Sequence, residues 1–345
     1  MNINSDYMLY RLKELLAINS PSGDTVEAID YVKKAFEDLG LSTRVTVKGA
    51  LIATLEGKNT EEHVAVSAHV DTLGAMVKEI KPNGRLKLTQ IGGYPWVTVD
   101  GEYCTIASLE GKKYRGTILH EKTSAHNYGS IPKEDVRNEN NIEVRIDELV
   151  STKEDTAKLG IEVGDFVYLD PRTEVTESGF IKSRHLDDKA CVAVLLEAAR
   201  NLVESKATPS KTTHFFISNY EEVGHGASGV LGDNVRELVA VDMASPGIGQ
   251  QSTEQGVTIC AKDSSGPYDL ELKRKLVKLG RENDIDYKLD IYNYYGSDAS
   301  AALRAGGQLR HGLIGPGVDA SHAYERTHMK GLENTAKLLI AYLKS

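Results

Sequence analysis

At 345 residues, with 40% hydrophobic and 26% charged residues, the chain has an ordinary globular composition and the length for two domains or one large domain with an insertion. A net charge of -9 without a basic cluster argues against nucleic acid and anionic membranes as partners, since both need a positive surface. No apolar run approaches the roughly 20 residues that span a bilayer, and the opening MNINSDYMLYRLKELLAINS lacks a leader pattern, so the cytoplasm is the expected compartment.

In chain order, Met8, Leu9, Leu12, Leu15 and Leu16 fall at helical spacing, and after SPSG so do Val26, Ile29, Val32, Phe36 and Leu39, with Gly40 as a stop. The β-rich runs RVTV and ALIATLEG follow. Then HVAVSAHVD reads as a buried strand that runs into His69 and Asp71. From residue 76 to 180 the texture changes to short β-branched runs broken by turn signals, predicting an inserted all-β, barrel-like domain.

Residues 1–75 and 181–345 form the other predicted unit. Its elements alternate: a strongly apolar helix in DKACVAVLLEAARNLVES, strands in THFFISN and ELVAVDM, a helix near Tyr268 to Arg281, a strand in KLDIYNY, and a closing helix from about Gly331. This alternation predicts an α/β fold, a mostly parallel central sheet flanked by helices. Cys104, Cys191 and Cys260 are odd in number and far apart, which fits small core residues better than a disulfide framework or thiolate zinc site.

Acidic and imidazole side chains cluster at the carboxyl ends of these strands. His69 and Asp71 follow VAVSA, Glu221 and Glu222 follow HFFISNY, Asp242 ends LVAVD, Asp298 follows LDIYNYYGS, and His322 follows the HGLIG strand by a short loop. Open α/β sheets bind ligands along that edge, so residues distant in sequence can converge there. Oxygen and imidazole donors without thiolate suit a hydrolytic centre of zinc, cobalt or manganese. The donors exceed the three-ligand set of one catalytic zinc, so two divalent ions are expected, bridged by a carboxylate and jointly acidifying a water.

Asp187 in HLDDK, just before the apolar helix, is the candidate bridge, with Asp188 the candidate cap at the helix N-terminus; the residues alone leave that pair ambiguous. The Glu221–Glu222 pair is equally open: one carboxylate would ligate while the other takes the proton of the water. Both can reach one site only if the strand ends before them, which Gly224 and Gly226 favour. Asp71 is placed to orient His69. Taken singly, each of these residues is more often a turn former or cap; their joint placement carries the reading.

Asp298 is a weaker candidate for a neighbouring role. His63, His120, His126, His185, His214, His225, His311 and His328 lack the placement, and Tyr292, Tyr294 and Tyr295 read as sheet packing.

The segments SPSGD, SAHVDTLG, HLDDKA, NYEEVGHGASG, VDMA, YGSDASAA and SHAYERTH span nearly the whole chain. In that order they resemble the tetrahedral and glutamyl aminopeptidase family of dinuclear metallopeptidases, which includes deblocking members. The resemblance implies that His69 and Asp242 hold one metal, Glu222 and His322 the other, that Asp187 bridges, and that Glu221 is the catalytic base. It also implies peptide substrates, a β-rich insertion that serves dimerisation, and homo-oligomers ranging from dimers to a hollow dodecamer. Lys189, His225 and the sequence around His322 depart from the usual motifs, but no ligand is missing. The nearest alternatives are a two-metal carboxypeptidase or N-acyl amino acid deacylase, with a metal-independent glycosidase of another class.

Overall fold

The computed structural model describes residues 2–345. Its centre is a nine-stranded mixed sheet in which Lys211–Ser218, Asn59–His69, Val235–Val241 and Arg310–Pro316 lie side by side and parallel. Antiparallel strands extend both sides: Leu51–Leu55 and Ser42–Val45 beyond one, Val257–Asp263 beyond the other. The four middle strands are thus all parallel, and the flanking strands Leu51–Leu55 and Val257–Asp263 are also buried, with side chains in the cores on both faces of the sheet.

Alternation along Asn59–His69 shows how the layers form. Val64, Val66 and Ala68 join a core with the helix Leu186–Glu204, whereas Ala65 faces a second core containing Ala299 and Ala302 of the helix Asp298–Arg304. Successive side chains on a strand point to opposite faces, so a strand buried on both sides reads as a continuous apolar run. The helix Leu186–Glu204 is buried nearly all round because Ser5–Leu16 and Met329–Lys344 pack against it while it lies on the sheet. This explains its lack of a polar stripe. All three cysteines are buried, as core residues would be.

Between the strand ending at His69 and the helix starting at Leu186 the chain builds a closed six-stranded barrel, Gly74–Ile80 to Phe166–Leu169, around its own apolar core. Short helical turns at Ala125–Tyr128, Ile131–Glu134 and Lys153–Lys158 interrupt the expected all-β texture. After the barrel the chain pairs elsewhere: Glu174–Val175, Phe180–Ser183 and Glu325–His328 make a small antiparallel sheet. That sheet ties the chain leaving the barrel to the turn carrying His322.

Among the described residues, no helix is long and apolar enough to cross a membrane.

Candidate metal centre

Each proposed site residue stands where regular structure stops. His69 is the last residue of its strand, Asp242 follows Val241, and the strand Lys211–Ser218 ends before Glu221. Tyr220 takes a left-handed conformation (φ 60°), turning the chain so that neighbouring Glu221 and Glu222 leave the strand's alternation and both reach the site. Lys48 fastens the next turn by donating to the carbonyls of His225, Gly226 and Ser228. Gly226 is needed there: a Cβ would lie 2.0 Å from Asp298 Oδ1. Gly315 likewise lets the adjacent strand approach Asp242, since a Cβ would fall 1.6 Å from the Asp242 carbonyl oxygen.

The side chains meet around Asp187. Its Oδ1 lies 3.3 Å from His69 Nε2, and its Oδ2 lies 3.4 Å from His322 Nε2. Glu222 Oε2 is 3.4 Å from the same His322 nitrogen. Two sets of donor atoms, His69–Asp187–Asp242 and Asp187–Glu222–His322, each fall within 4.8 Å of one another, and Asp187 belongs to both. Glu221 is in neither set, yet its Oε2 is 3.7 Å from His69 Nε2.

Both histidines present an unprotonated Nε2 to this centre when neutral. His69 Nδ1 faces the backbone oxygen of Asp71 at 2.8 Å, and His322 Nδ1 faces the backbone oxygen of Gly93. A carbonyl only accepts, so the facing nitrogen carries the proton and Nε2 keeps its lone pair for a cation.

The Asp71 carboxylate differs from expectation. It lies 3.7 Å from His69 Nδ1, leaving the orienting contact to its own carbonyl. It instead accepts the backbone N–H of Glu221 (3.1 Å) and of Glu222 (3.2 Å), so it holds the carboxylate turn in place. Asp188, joined to Asp187 by a cis peptide bond, does not cap the helix in the simple sense: it accepts the His69 backbone N–H at 3.2 Å. Its backbone, like that of Asp187, is non-helical (φ -123°, ψ 22°).

Asp298 is buried beside Glu221, with Oδ1 lacking a hydrogen-bond partner. His185 is buried at the barrel-to-helix turn, its Nε2 3.3 Å from the Leu169 oxygen, and His225 is exposed. Neither histidine joins a donor set.

Electrostatically the centre is crowded with buried carboxylates. Burial, and then Asp187, push Asp242 up to about 7; burial, again followed by Asp187, pushes Glu325 up to about 8. Glu221 and Glu222 are raised well above the carboxylate range, chiefly by burial. Burial opposes protonation of His322, but Asp187 and Glu222 outweigh it and raise its pKa to about 10. Glu222 Oε1 is buried without a hydrogen-bond partner. An unpartnered carboxylate oxygen beside imidazole lone pairs is the donor chemistry that divalent cations satisfy, so these residues fit such ions.

The same shifts predict how protein stripped of metal by a chelator depends on pH. Unfolding returns carboxyls to about 4, so between about pH 5 and 8 the folded chain holds more protons than the unfolded one at Asp242 and Glu325, and stability falls as pH rises. His322 acts in the same sense above about 6.5. Asp187, whose pKa is lowered because His322 and His69 outweigh its burial, changes only in more acidic solution. The melting temperature of chelated protein should therefore decline across this window, and added zinc should reduce the decline. Highest stability at pH 8 in chelator would contradict the assignment.

The centre opens into a cavity of about 750 Å³. Tyr292, Tyr294 and Tyr295 line it from the loop that follows the strand ending at Ile291; Tyr292 and Tyr295 also pack against the sheet's core as expected, and Tyr294 does not. Tyr294 is fully exposed, and Tyr295 donates to the Met243 oxygen at 2.8 Å, bracing one wall.

The family model for M42 glutamyl aminopeptidases matches residues 49–338. The chain belongs to the M42 glutamyl aminopeptidase family. It is 52% identical to YhfE of Bacillus subtilis, provisionally named an aminopeptidase, over 97% of this chain and 96% of that one. Its fold matches two archaeal proteins. The TET1 peptidase of Pyrococcus horikoshii superimposes with a TM-score of 0.85 at 23% identity, covering 97% of this chain and 99% of that one. An aminopeptidase of Desulfurococcus kamchatkensis gives 0.88 at 21% identity, covering 99% and 95%. M42 membership makes the chain a member of an aminopeptidase family, and its central sheet, helices and barrel are the fold of these neighbours.

Proposed function

We propose that this M42 chain is a two-metal aminopeptidase that removes N-terminal residues from peptides. The observation that carries the reading is Asp187, which turns one carboxylate oxygen toward each of two histidines and belongs to both donor sets. His69 and Asp242 would hold one ion, Glu222 and His322 the other, and Asp187 would bridge them. Two divalent ions, with zinc or cobalt suiting the donors and manganese also compatible, would polarise the scissile carbonyl and acidify a water.

The protein's own groups do the remaining chemistry. Glu221 takes the proton of the attacking water and returns it to the leaving nitrogen, a role suited to a partly buried carboxylate outside both donor sets. Asp71 keeps that carboxylate in place through the backbone N–H of Glu221. The carboxylates lining the cavity attract the substrate's free ammonium group. Hydrolysis of a peptide with a free N-terminus, and none of its acetylated twin, is the expected result; the reverse preference would favour a deacylase. Activity that persists unchanged in chelator would favour a metal-independent hydrolase such as a glycosidase.

A carboxypeptidase would need a cation for the substrate's terminal carboxylate, and Arg304 is the Lys or Arg side chain that lines the cavity. Arg304→Ala should leave kcat/KM for leucine amide within about threefold, because that substrate has no carboxylate. Losing a hydrogen bond to a charged group typically costs about 1.5–3 kcal/mol. A loss of that size confined to substrates with a free C-terminus would support the carboxypeptidase instead.

We also propose that the chain self-associates through the barrel, where Val97, Leu109, Val136, Leu149 and Val163 expose apolar side chains. The Pyrococcus horikoshii TET1 peptidase can assemble into a tetrahedron or a large octahedral shell. A dimer or dodecamer by light scattering is the expected state here, and a monomer would refute it.

A further inference from the structure

The proposed ligands come from separate turns, so their spacing depends on what joins those turns. Asp71 joins His69's segment to the Glu221–Glu222 corner, and Asp188 joins His69 to the start of the buried helix. A third join, at Glu325, lies outside both donor sets. One oxygen, Oε2, accepts the backbone N–H of Asp187 at 3.1 Å; the other, Oε1, accepts the backbone N–H of His322 at 3.1 Å.

Glu325 is 2% exposed, and its backbone is set by pairing with Ser183 in the small antiparallel sheet. The turn it steadies needs holding: Ala320 (φ 56°) and His322 (φ 64°) are both left-handed without being glycine. Such conformations are strained for a side chain with a Cβ and persist only where the surroundings enforce them.

We propose that Glu325 is a positioning residue for the metal centre, a two-pronged clasp that fixes the distance between Asp187 and His322 without touching ion or substrate. It therefore sets the affinity of the ion assigned to Asp187, Glu222 and His322 more than that of its neighbour. This rests on the two-metal reading above. Groups that orient metal ligands from behind typically cost about 10–100-fold in affinity when changed.

The test is metal binding by the whole protein, followed by calorimetric titration of zinc into chelated samples and by the visible spectrum on adding cobalt. Glu325→Gln keeps the shape but turns an NH2 group toward one of the two backbone N–H donors. Glu325→Asp keeps two acceptors on a shorter arm and serves if the glutamine variant does not fold. The expected result is one site weakened about 10–100-fold and the other changed by a few-fold at most. The cobalt spectrum of the weakened site should shift, and with metal in excess kcat should recover while KM stays near wild type. Wild-type affinity at both sites in a folded variant, or equal loss at both, would overturn the role of Glu325. A wild-type protein that binds fewer than two ions would instead overturn the two-metal reading, and the clasp with it.

Discussion

Glu221→Gln is expected to lower kcat by about 10²–10⁴-fold while the protein still binds both metal ions, the range associated with losing a general base. Glutamine fills the same space and can still hydrogen bond, but it cannot take a proton at neutral pH. The geometry separates this residue from its neighbour. Glu221 lies outside both donor sets, and 15% of its side chain is open to solvent, from which the water would come. Glu222 is 4% exposed, 3.4 Å from His322 Nε2, and carries an unpartnered buried oxygen. Glu222→Gln should therefore lose metal together with activity. If the Glu221 variant loses metal too, the two roles have been assigned the wrong way round or Glu221 is itself a ligand.

Asp187→Ala should have a wider effect, because Asp187 is the side chain common to both donor sets. Both ions should bind more weakly, and hydrolysis should fall by about 10³-fold or more. Lewis-acid stabilisation is worth several kcal/mol, and each 1.36 kcal/mol is tenfold in rate. Metal content by mass spectrometry and activity on leucine amide would be measured on the same sample. One ion retained at full affinity would show that Asp187 serves a single site and does not bridge.

Much of this architecture was legible in the sequence because it rests on periodicity. HVAVSAHVD read as a buried strand, and Val64, Ala65 and Val66 do face two different cores. The helix containing LLEAAR was visible from its apolar density, which reflects helices packed on its outer side. The positions of His69, Glu221, Glu222, Asp242 and His322 followed from strand ends, since residues distant in sequence converge where parallel strands finish.

What was not legible depends on backbone direction within turns. No spacing rule distinguishes Asp187 from Asp188, whose carboxylates take different partners: Asp187 faces His69 and His322, while Asp188 accepts the His69 backbone N–H. The Asp71 carboxylate points to the Glu221–Glu222 turn and not to the nearby imidazole, a choice made by backbone N–H groups 150 residues away. Gly93 and Glu325 were missed for the same reason. The only hint for Glu325 was a carboxylate three residues beyond His322 in SHAYERTH. Tyr294 read as sheet packing like Tyr292 and Tyr295 because a β-rich composition does not reveal that the strand stops at Ile291 and leaves this one side chain exposed.

The most direct test is to strip the protein with a chelator, return zinc or cobalt in measured equivalents, and follow bound metal and hydrolysis of leucine amide together. Two ions per chain, with activity rising to its maximum only as the second is filled, is the predicted result. Full activity with no metal, or with one tightly bound ion and no second site, would contradict it.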